Sequence, residues 1–227
     1  MMTRVWLLAL LLGTTPTHTG DDVVARVDGV PITEAMVNAV VKGTISGRAE
    51  PPSSEEIAKL SDAALESLID LELLYGAAQK LGITVTDAQV DAEIARNRAR
   101  FANAADYDGA LARAGMTPAT LRADTRKTLV VKAFLEKVVW KEIFLPPDAA
   151  RKYFDQHETE LGGKSFETLK PVIERSLLDD LRQQAQRGYL LELKKTAVIL
   201  RGPLPTPAPT AAPTKHVPSE PPSSQPS

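Results

Sequence analysis

Three histidines and two acidic pairs are the residues of this chain most able to do chemistry. The histidines are His18, His157 and His216. A metal site or an acid–base pair needs side chains that converge on one point. These three lie in an apolar leader, a helical segment and a Pro-rich tail, so we expect neither kind of site. His157 is expected to be a partly exposed helix residue.

The acidic pairs are Asp87 with Asp91 and Asp179 with Asp180. Paired carboxylates can act as general acid and base. Here both pairs lie in segments rich in Arg and Gln, which favours solvated helix faces carrying i,i+4 ion pairs. The sequence also has no Gly-x-Ser-x-Gly elbow, no phosphate-binding loop and no Gly-x-Gly-x-x-Gly fingerprint. We therefore expect no catalytic residue, no metal ligand and no cofactor.

Charge and cysteine content exclude further classes of protein. The formal net charge is −2, and no basic stripe alternates with aromatic residues, so we expect no binding to nucleic acid. There is no cysteine, so no disulfide can form in any compartment.

The first residues have the layout of a secretory signal peptide. Met1 to Arg4 is short and basic, Val5 to Leu12 is apolar, and Gly13 to Gly20 is small and polar. The apolar run is too short for a stable membrane-spanning helix. We expect residues 1–20 to be cleaved, with no stable membrane insertion of the mature chain.

The opposite end is a Pro-rich tail. Residues 202–227 are almost entirely Pro, Thr, Ala and Ser, with few large apolar side chains. Such a segment cannot bury enough apolar surface to offset the entropy of ordering it. The sequence therefore predicts a folded region at 21–201 followed by a disordered, extended tail.

Within the folded region, apolar residues recur at helical spacing nearly everywhere. Thr33, Thr86 and Thr117-Pro118 are predicted helix starts, Gly82 a helix end, and Ser165 the cap of a final long helix. Strand-like runs occur only near the ends, at Val23 to Val27 and at Ala197 to Leu200. These should pair with each other, which predicts a mainly α fold with a small antiparallel closure between N- and C-terminal strands.

Several segments, in this order and spacing, resemble the N-terminal domain of SurA-type periplasmic chaperones, with PrsA and trigger factor as more distant relatives. They are Val23 to Thr33, Leu68 to Tyr75, Ala78 to Thr86, Val90, Ala114 to Thr117 with Leu121-Arg122, Asp148 to Phe154, Phe166 to Ile173, and Lys194 to Ile199. The Lys-Leu-Gly-Ile-Thr-Val-Thr stretch before an amphipathic helix is the most specific of these.

The resemblance implies a split domain. Its N-terminal part would be 21–161, and a helix and strand at 164–201 would return to complete it. In the relatives a parvulin prolyl-isomerase domain stands at this junction, whereas here there is only Leu161-Gly162-Gly163. The departure predicts binding of client polypeptides without isomerase activity, so the protein is not expected to be an enzyme.

Candidate client-binding residues are large, adaptable side chains outside the regular apolar stripes. They are Met36, Phe101, Tyr107, Met116 and Phe144. Methionine and aromatic side chains adapt to varied apolar partners, although each of these residues is as readily explained by ordinary packing.

The resulting functional hypothesis is a periplasmic, ATP-independent holdase for unfolded or nascent secreted polypeptides, including those bound for the outer membrane. Its binding should rest on apolar burial and persist in salt. The alternatives are a parvulin-group prolyl isomerase and a non-catalytic subunit of an export or surface-assembly system. Because terminal strands can also pair between chains, a homodimer formed by strand exchange is a further expectation.

Overall fold

The structure is a computed structural model that describes residues 22–46 and 48–202. The predicted signal peptide and the tail from Pro203 onward lie outside the described residues. Within them, the helices are α1 Glu34–Ile45, α2 Ser54–Lys80, α3 Asp87–Arg98, α4 Ala104–Arg113, α5 Pro118–Phe134, α6 Ala149–His157 and α7 Phe166–Thr196. The strands are β1 Val23–Val27, β2 Val30–Thr33 and β3 Ile199–Arg201, and a π-helical turn, Leu135–Val139, continues α5. None of the described helices is long and apolar enough to cross a membrane.

The strands form one antiparallel sheet in the order β2-β1-β3. Arg26 lies opposite Leu200 and Val27 opposite Ile199, which confirms the predicted pairing of the two ends of the folded region. β2 was not predicted as a strand. Asp28 and Gly29 both have positive φ, 48° and 86°, so the chain turns tightly enough for β2 to pair back onto β1.

Three further hydrogen bonds join the two ends of the folded region. The Asp28 amide donates to the Val198 carbonyl (2.9 Å), and the Val198 amide donates to Asp28 Oδ1 (2.9 Å). Beyond β3, the Gly202 amide donates to the Val24 carbonyl (2.7 Å). The pairing therefore extends past both ends of β3. Compared with the predicted strand, Ala197 to Leu200, β3 begins two residues later and ends one residue later.

Side-chain caps set most helix starts, as the sequence indicated. The hydroxyls of Thr33, Thr86 and Thr117 each accept from the backbone amide three residues ahead, confirming these starts. Asn103 caps α4 in the same way, accepting from the Asp106 amide. One detail differs. Ser165 precedes α7, but its side chain bonds Thr168 Oγ1 (2.9 Å) and makes no capping bond to the backbone.

The main hydrophobic core lies between the sheet and the helices α1, α2, α5 and the last turns of α7. Phe134, Ile32, Leu65, Ile69 and Val37 are its largest fully buried members. Tyr189 on α7 packs edge-on against Phe134, with ring centroids 5.5 Å apart. The end of the last helix is thus part of the same core as the first strand.

A second, smaller core joins α6 to the start of α7. Ala150, Phe154 and Ile173 are buried there, with Phe166 packed edge-on against Phe154 at 5.5 Å. Since α7 has 31 residues and a helix rises 1.5 Å per residue, it is about 46 Å long. This one helix therefore connects the two cores.

Ion pairs fix the returning segment to α2. Lys194 Nζ lies 2.6 Å from Asp70 Oδ1 and 3.6 Å from Glu66 Oε2, and Arg201 also pairs with Glu66. The hydrogen bond from Arg201, with the positive charges of Arg201 and Lys194, holds the pKa of Glu66 below its ordinary value of 4.5 against the opposing effect of burial.

We predict that deleting the residues after Thr196 lowers the free energy of unfolding by about 3 kcal/mol, since at least three hydrogen bonds of about 1 kcal/mol each are lost. Urea denaturation of the mature chain measures this. A chain ending at Pro203 is the control and should unfold like the full chain. Equal stability of the two truncated chains would show that β3 does not close the domain.

The ion pairs of Glu66 predict that the free energy of unfolding depends on pH. Because the pKa of Glu66 is lowered on folding, its contribution to stability is present above about pH 4.5 and is lost as the pH falls through the lower folded pKa. Glu66→Gln should therefore be less stable than the wild type at pH 7, by under about 1 kcal/mol for such a partly exposed pair. The difference should close below pH 4.5 in parallel urea titrations, and a difference that persists there would contradict the assignment.

Candidate functional site

An open cleft of about 680 Å³ lies between α1 and the connection from α4 to α5. Its walls consist of small and apolar side chains with charged ones among them: Asp22, Glu34, Ala35, Met36, Asn38, Ala39, Lys42, Ala114, Gly115, Met116, Thr120 and Asp124. Its volume is within the usual range for ligand-binding pockets. Two of the five candidate residues, Met36 and Met116, line this cleft together.

Helix termini position both methionines. Thr33 caps α1 by accepting from the Met36 amide (3.3 Å), which places Met36 in the first turn of the helix. Its side chain is half-buried and packs against the main core. On the opposite wall, Gly115 has φ +67° and ends α4, and the Met116 amide donates to the Leu111 carbonyl (2.9 Å). Met116 is therefore held between the end of α4 and the cap of α5.

The charged residues of the cleft are mainly acidic. Asp22, Glu34 and Asp124 face it together with one base, Lys42. Among the described residues, none of these three carboxylates has a Lys, Arg or His nitrogen within 4.0 Å. Partial loss of hydration raises the pKa of Asp124, and the charge of Lys127 opposes this rise.

Ion pairs hold the wall formed by α5 in place. Lys127 pairs with the buried Glu72 of α2 and lies 5.1 Å from the centre of the Tyr75 ring. Glu72 is only 6% exposed, so Lys127 compensates a charge that is largely removed from water. Removing one partner of such a pair is costly, because the other charge stays buried.

The acidic pair on α3 is also structural. Arg122 pairs with Asp87 (2.9 Å) and with Asp91, and Arg126 pairs with Asp87. Hydrogen bonds from these two arginines lower the pKa of Asp87. Both carboxylates are in ion pairs, but the predicted i,i+4 arrangement is wrong here, because the partners lie on α5 and not one turn away on α3. For Asp179, the neighbour is Arg182 at 3.9 Å, three residues ahead on the same helix.

Phe101 and Tyr107 form a separate pair outside the cleft. Their rings pack edge-on with centroids 5.3 Å apart, and the Arg98 guanidinium lies 5.7 Å from the Tyr107 ring centre. Tyr107 is 8% exposed, whereas Phe101 is 40% exposed. Of the two, only Phe101 offers a large surface to a partner.

Phe144 occupies a third place, in the connection between α5 and α6, where it is 71% exposed. The adjacent Leu145 and Pro146 line two shallow grooves along α7, of about 550 and 470 Å³. Tyr153, Leu177 and Leu181 contribute to the larger one. This surface was not predicted, because Leu177 and Leu181 follow the same helical period as the core residues of α7.

His157 stacks on Tyr153, with ring centroids 4.2 Å apart, and its Nδ1 lies 2.9 Å from the Tyr153 carbonyl oxygen. It is partly exposed on α6, as predicted. Across residues 22–46 and 48–202, no group of three or more His, Cys, Asp or Glu side chains is arranged to hold a metal ion.

We predict that Gly115→Ala destabilises the protein by about 1 kcal/mol, because its φ of +67° disfavours any residue with a Cβ. Gly76→Ala is the matched control, since it adds the same methyl group inside α2, where the new carbon has no atom within 4 Å apart from the neighbouring backbone of its own helix. That change should stabilise the helix by about 0.5 to 1 kcal/mol. Thermal unfolding compares the two, and equal shifts would contradict the conformational argument.

No curated protein sequence matches the chain. One solved chain superposes with a TM-score of 0.51 at 15% sequence identity, over 79% of this chain and 98% of that chain. It comes from Campylobacter jejuni, where the virulence factor PEB4 and the periplasmic protein Cj1289 are described as two structurally related SurA-like chaperones. This similarity shows a shared fold.

The sequence itself matches a family directly. The family model for the SurA-like N-terminal domain covers residues 2–135, more than half of the 227-residue chain. The match includes β1, β2 and the helices α1 to α5, which together form most of the main core and both walls of the cleft. The chain therefore belongs to the family of proteins with a SurA-like N-terminal domain.

Proposed function

We propose that the protein is an ATP-independent holdase that shields apolar segments of unfolded polypeptides in the cleft between α1 and the α4–α5 connection. The observation that carries this proposal is the pairing of Met36 and Met116 across one open cleft. Membership of the SurA-like family supports a chaperone role.

The cleft has the physical properties that promiscuous binding needs. Methionine side chains are flexible and polarisable, so they fit partners of different shape. The Met36 side chain packs against the main core, which supports this wall of the cleft. Burial of apolar area contributes about 25 cal/mol per Å², so apolar contact can drive binding without a nucleotide.

The clients proposed are unfolded or nascent secreted polypeptides, including outer-membrane proteins, and the compartment proposed is the periplasm. The signal-like residues 1–20 support this location. So does the similarity of fold to a structure from a pair of SurA-like chaperones, one of which is described as periplasmic.

A non-catalytic mode of action is part of the proposal. The connection from α6 to α7 consists of residues 158–165, and Gly162 and Gly163 turn it with φ values of 64° and 71°. In the relatives that the sequence resembles, a parvulin domain stands at this junction. A short glycine turn in its place supports client binding without isomerase chemistry.

We predict that Met36→Ser and Met116→Ser each weaken protection of a client, by about fivefold in apparent affinity. Each removes part of a Met side chain's apolar contact, about 1 kcal/mol. The measurement is suppression of aggregation of an unfolded outer-membrane protein, titrated with folded variants at low and moderate salt. Protection should persist in moderate salt, because apolar burial is not screened.

Leu191→Ser is the control, since Leu191 is 62% exposed on α7 and does not line the cleft. It should protect like the wild type. Phe101→Ser and Phe144→Ser test the two other places where candidate residues lie. If both methionine variants protect fully while Phe144→Ser does not, the binding surface is the pair of grooves along α7 and not the cleft.

A further inference from the structure

We propose that the cleft selects apolar polypeptide segments flanked by lysine or arginine over equally apolar segments flanked by acidic residues. The proposal rests on the proposed function, because it assigns the kind of client segment that the same cleft takes.

The arrangement of charge around the methionines carries this inference. Glu34 is the first residue of α1, and Asp22, just before β1, lies beside it, since the Asp22 carbonyl accepts from the Glu34 amide (2.8 Å). Asp124 lies on α5 across the cleft. Lys42, at the far end of α1, is the single base among the residues lining the cleft. The lining therefore carries three acidic groups and one basic group around an apolar centre.

These carboxylates remain available to a bound segment. The other charged side chains near the cleft are engaged elsewhere: Arg122 and Arg126 bind Asp87, and Lys127 binds Glu72. The Glu34 carboxylate accepts one weak hydrogen bond, from Asn38 Nδ2 at 3.4 Å. A lysine or arginine beside a bound apolar side chain would meet carboxylates that no basic side chain among residues 22–46 and 48–202 pairs with, and an aspartate or glutamate would be repelled.

The other apolar surface lacks this imbalance. The larger groove along α7 is lined by Lys152, Asp180 and Arg187, and the smaller one by Glu174, Arg175, Asp179 and Arg182. The larger groove thus carries two bases and one acid and the smaller one two of each, so neither groove has the excess of acidic groups found in the cleft. Preference for basic over acidic flanking residues is therefore expected of the methionine-lined cleft alone. A binding measurement that shows this preference would distinguish the cleft from the grooves along α7.

Charge selection by the cleft is compatible with the small net charge of the whole chain, because it depends on nearby charges only. At physiological ionic strength the Debye length is about 8 Å, so only charges close to the bound segment matter. Exposed pairs contribute about 0.2 to 1 kcal/mol each. The combined attraction and repulsion should separate lysine- from glutamate-flanked segments by about fivefold in affinity.

The experiment uses three fluorescein-labelled peptides with one leucine- and phenylalanine-rich core, flanked by lysines, glutamines or glutamates. Fluorescence anisotropy at low salt gives their affinities for the mature wild-type protein. The glutamine-flanked peptide should bind, and the lysine-flanked peptide should bind about fivefold more tightly than the glutamate-flanked one. Added salt should reduce this ratio and leave the glutamine-flanked affinity unchanged.

Two double variants locate the effect. Glu34→Gln with Asp124→Asn removes two charges from the cleft and should bring the ratio close to one. Glu158→Gln with Glu160→Gln makes the same change of charge in the α6–α7 connection and should leave the ratio as in the wild type. Circular dichroism checks that both variants are folded.

The outcomes separate the two proposals. If all three peptides bind equally, or if the ratio survives in the cleft variant, charge selection by the cleft is overturned while the holdase proposal stands. If the glutamine-flanked peptide does not bind the wild type, apolar binding fails and the proposed function fails with it.

Discussion

Backbone hydrogen bonds between β1 and β3 join parts of the chain that are far apart in sequence. At the edge of this pairing, Asp28 and Val198, 170 positions apart, exchange two hydrogen bonds, one between backbone groups and one from the Val198 amide to Asp28 Oδ1. β1 thereby has a neighbour on each side, and its buried Ala25 and Val27 face the core with their backbone groups bonded. Because β3 follows α7 directly, this pairing also fixes where the last helix lies. The place of Leu190 in the main core and the ion pairs of Lys194 and Arg201 with α2 depend on that position.

Much of the fold follows from local signals in the sequence. Capping hydroxyls, the positive-φ glycines and helical spacing of apolar residues predict most helices, since each rests on contacts between residues a few positions apart. β2 was not predicted as a strand for two reasons. Val30 to Thr33 includes Pro31, and it leads directly into a capped helix; each of these features indicates a connecting segment. The π-helical turn at the end of α5 has no sequence signal that distinguishes it from ordinary helix.

The site was predictable only in its residue types. Met36 and Met116 were candidates because of their chemistry, but nothing in the sequence says that two residues so far apart share one cleft. Tyr107 was a candidate for the same reason, yet Phe101 and Arg98 cover its ring. The arginine partners of Asp87 illustrate the same point. The sequence of a helix shows which charges share one face, but tertiary packing decides which neighbouring helix supplies their partners.

The strand order also determines when this domain can finish folding. A chain is made N-terminal end first, so β1 and β2 are available early and β3 is the last element of the sheet to appear. A two-stranded hairpin alone is marginally stable in water, and Leu190 and Ile199 join the main core only after α7 is complete. Folding is therefore delayed until nearly all of the described chain has emerged, and pairings so distant in sequence form slowly. During that interval the protein is itself an unfolded polypeptide with exposed apolar surface, in need of the same protection that we propose it gives to others.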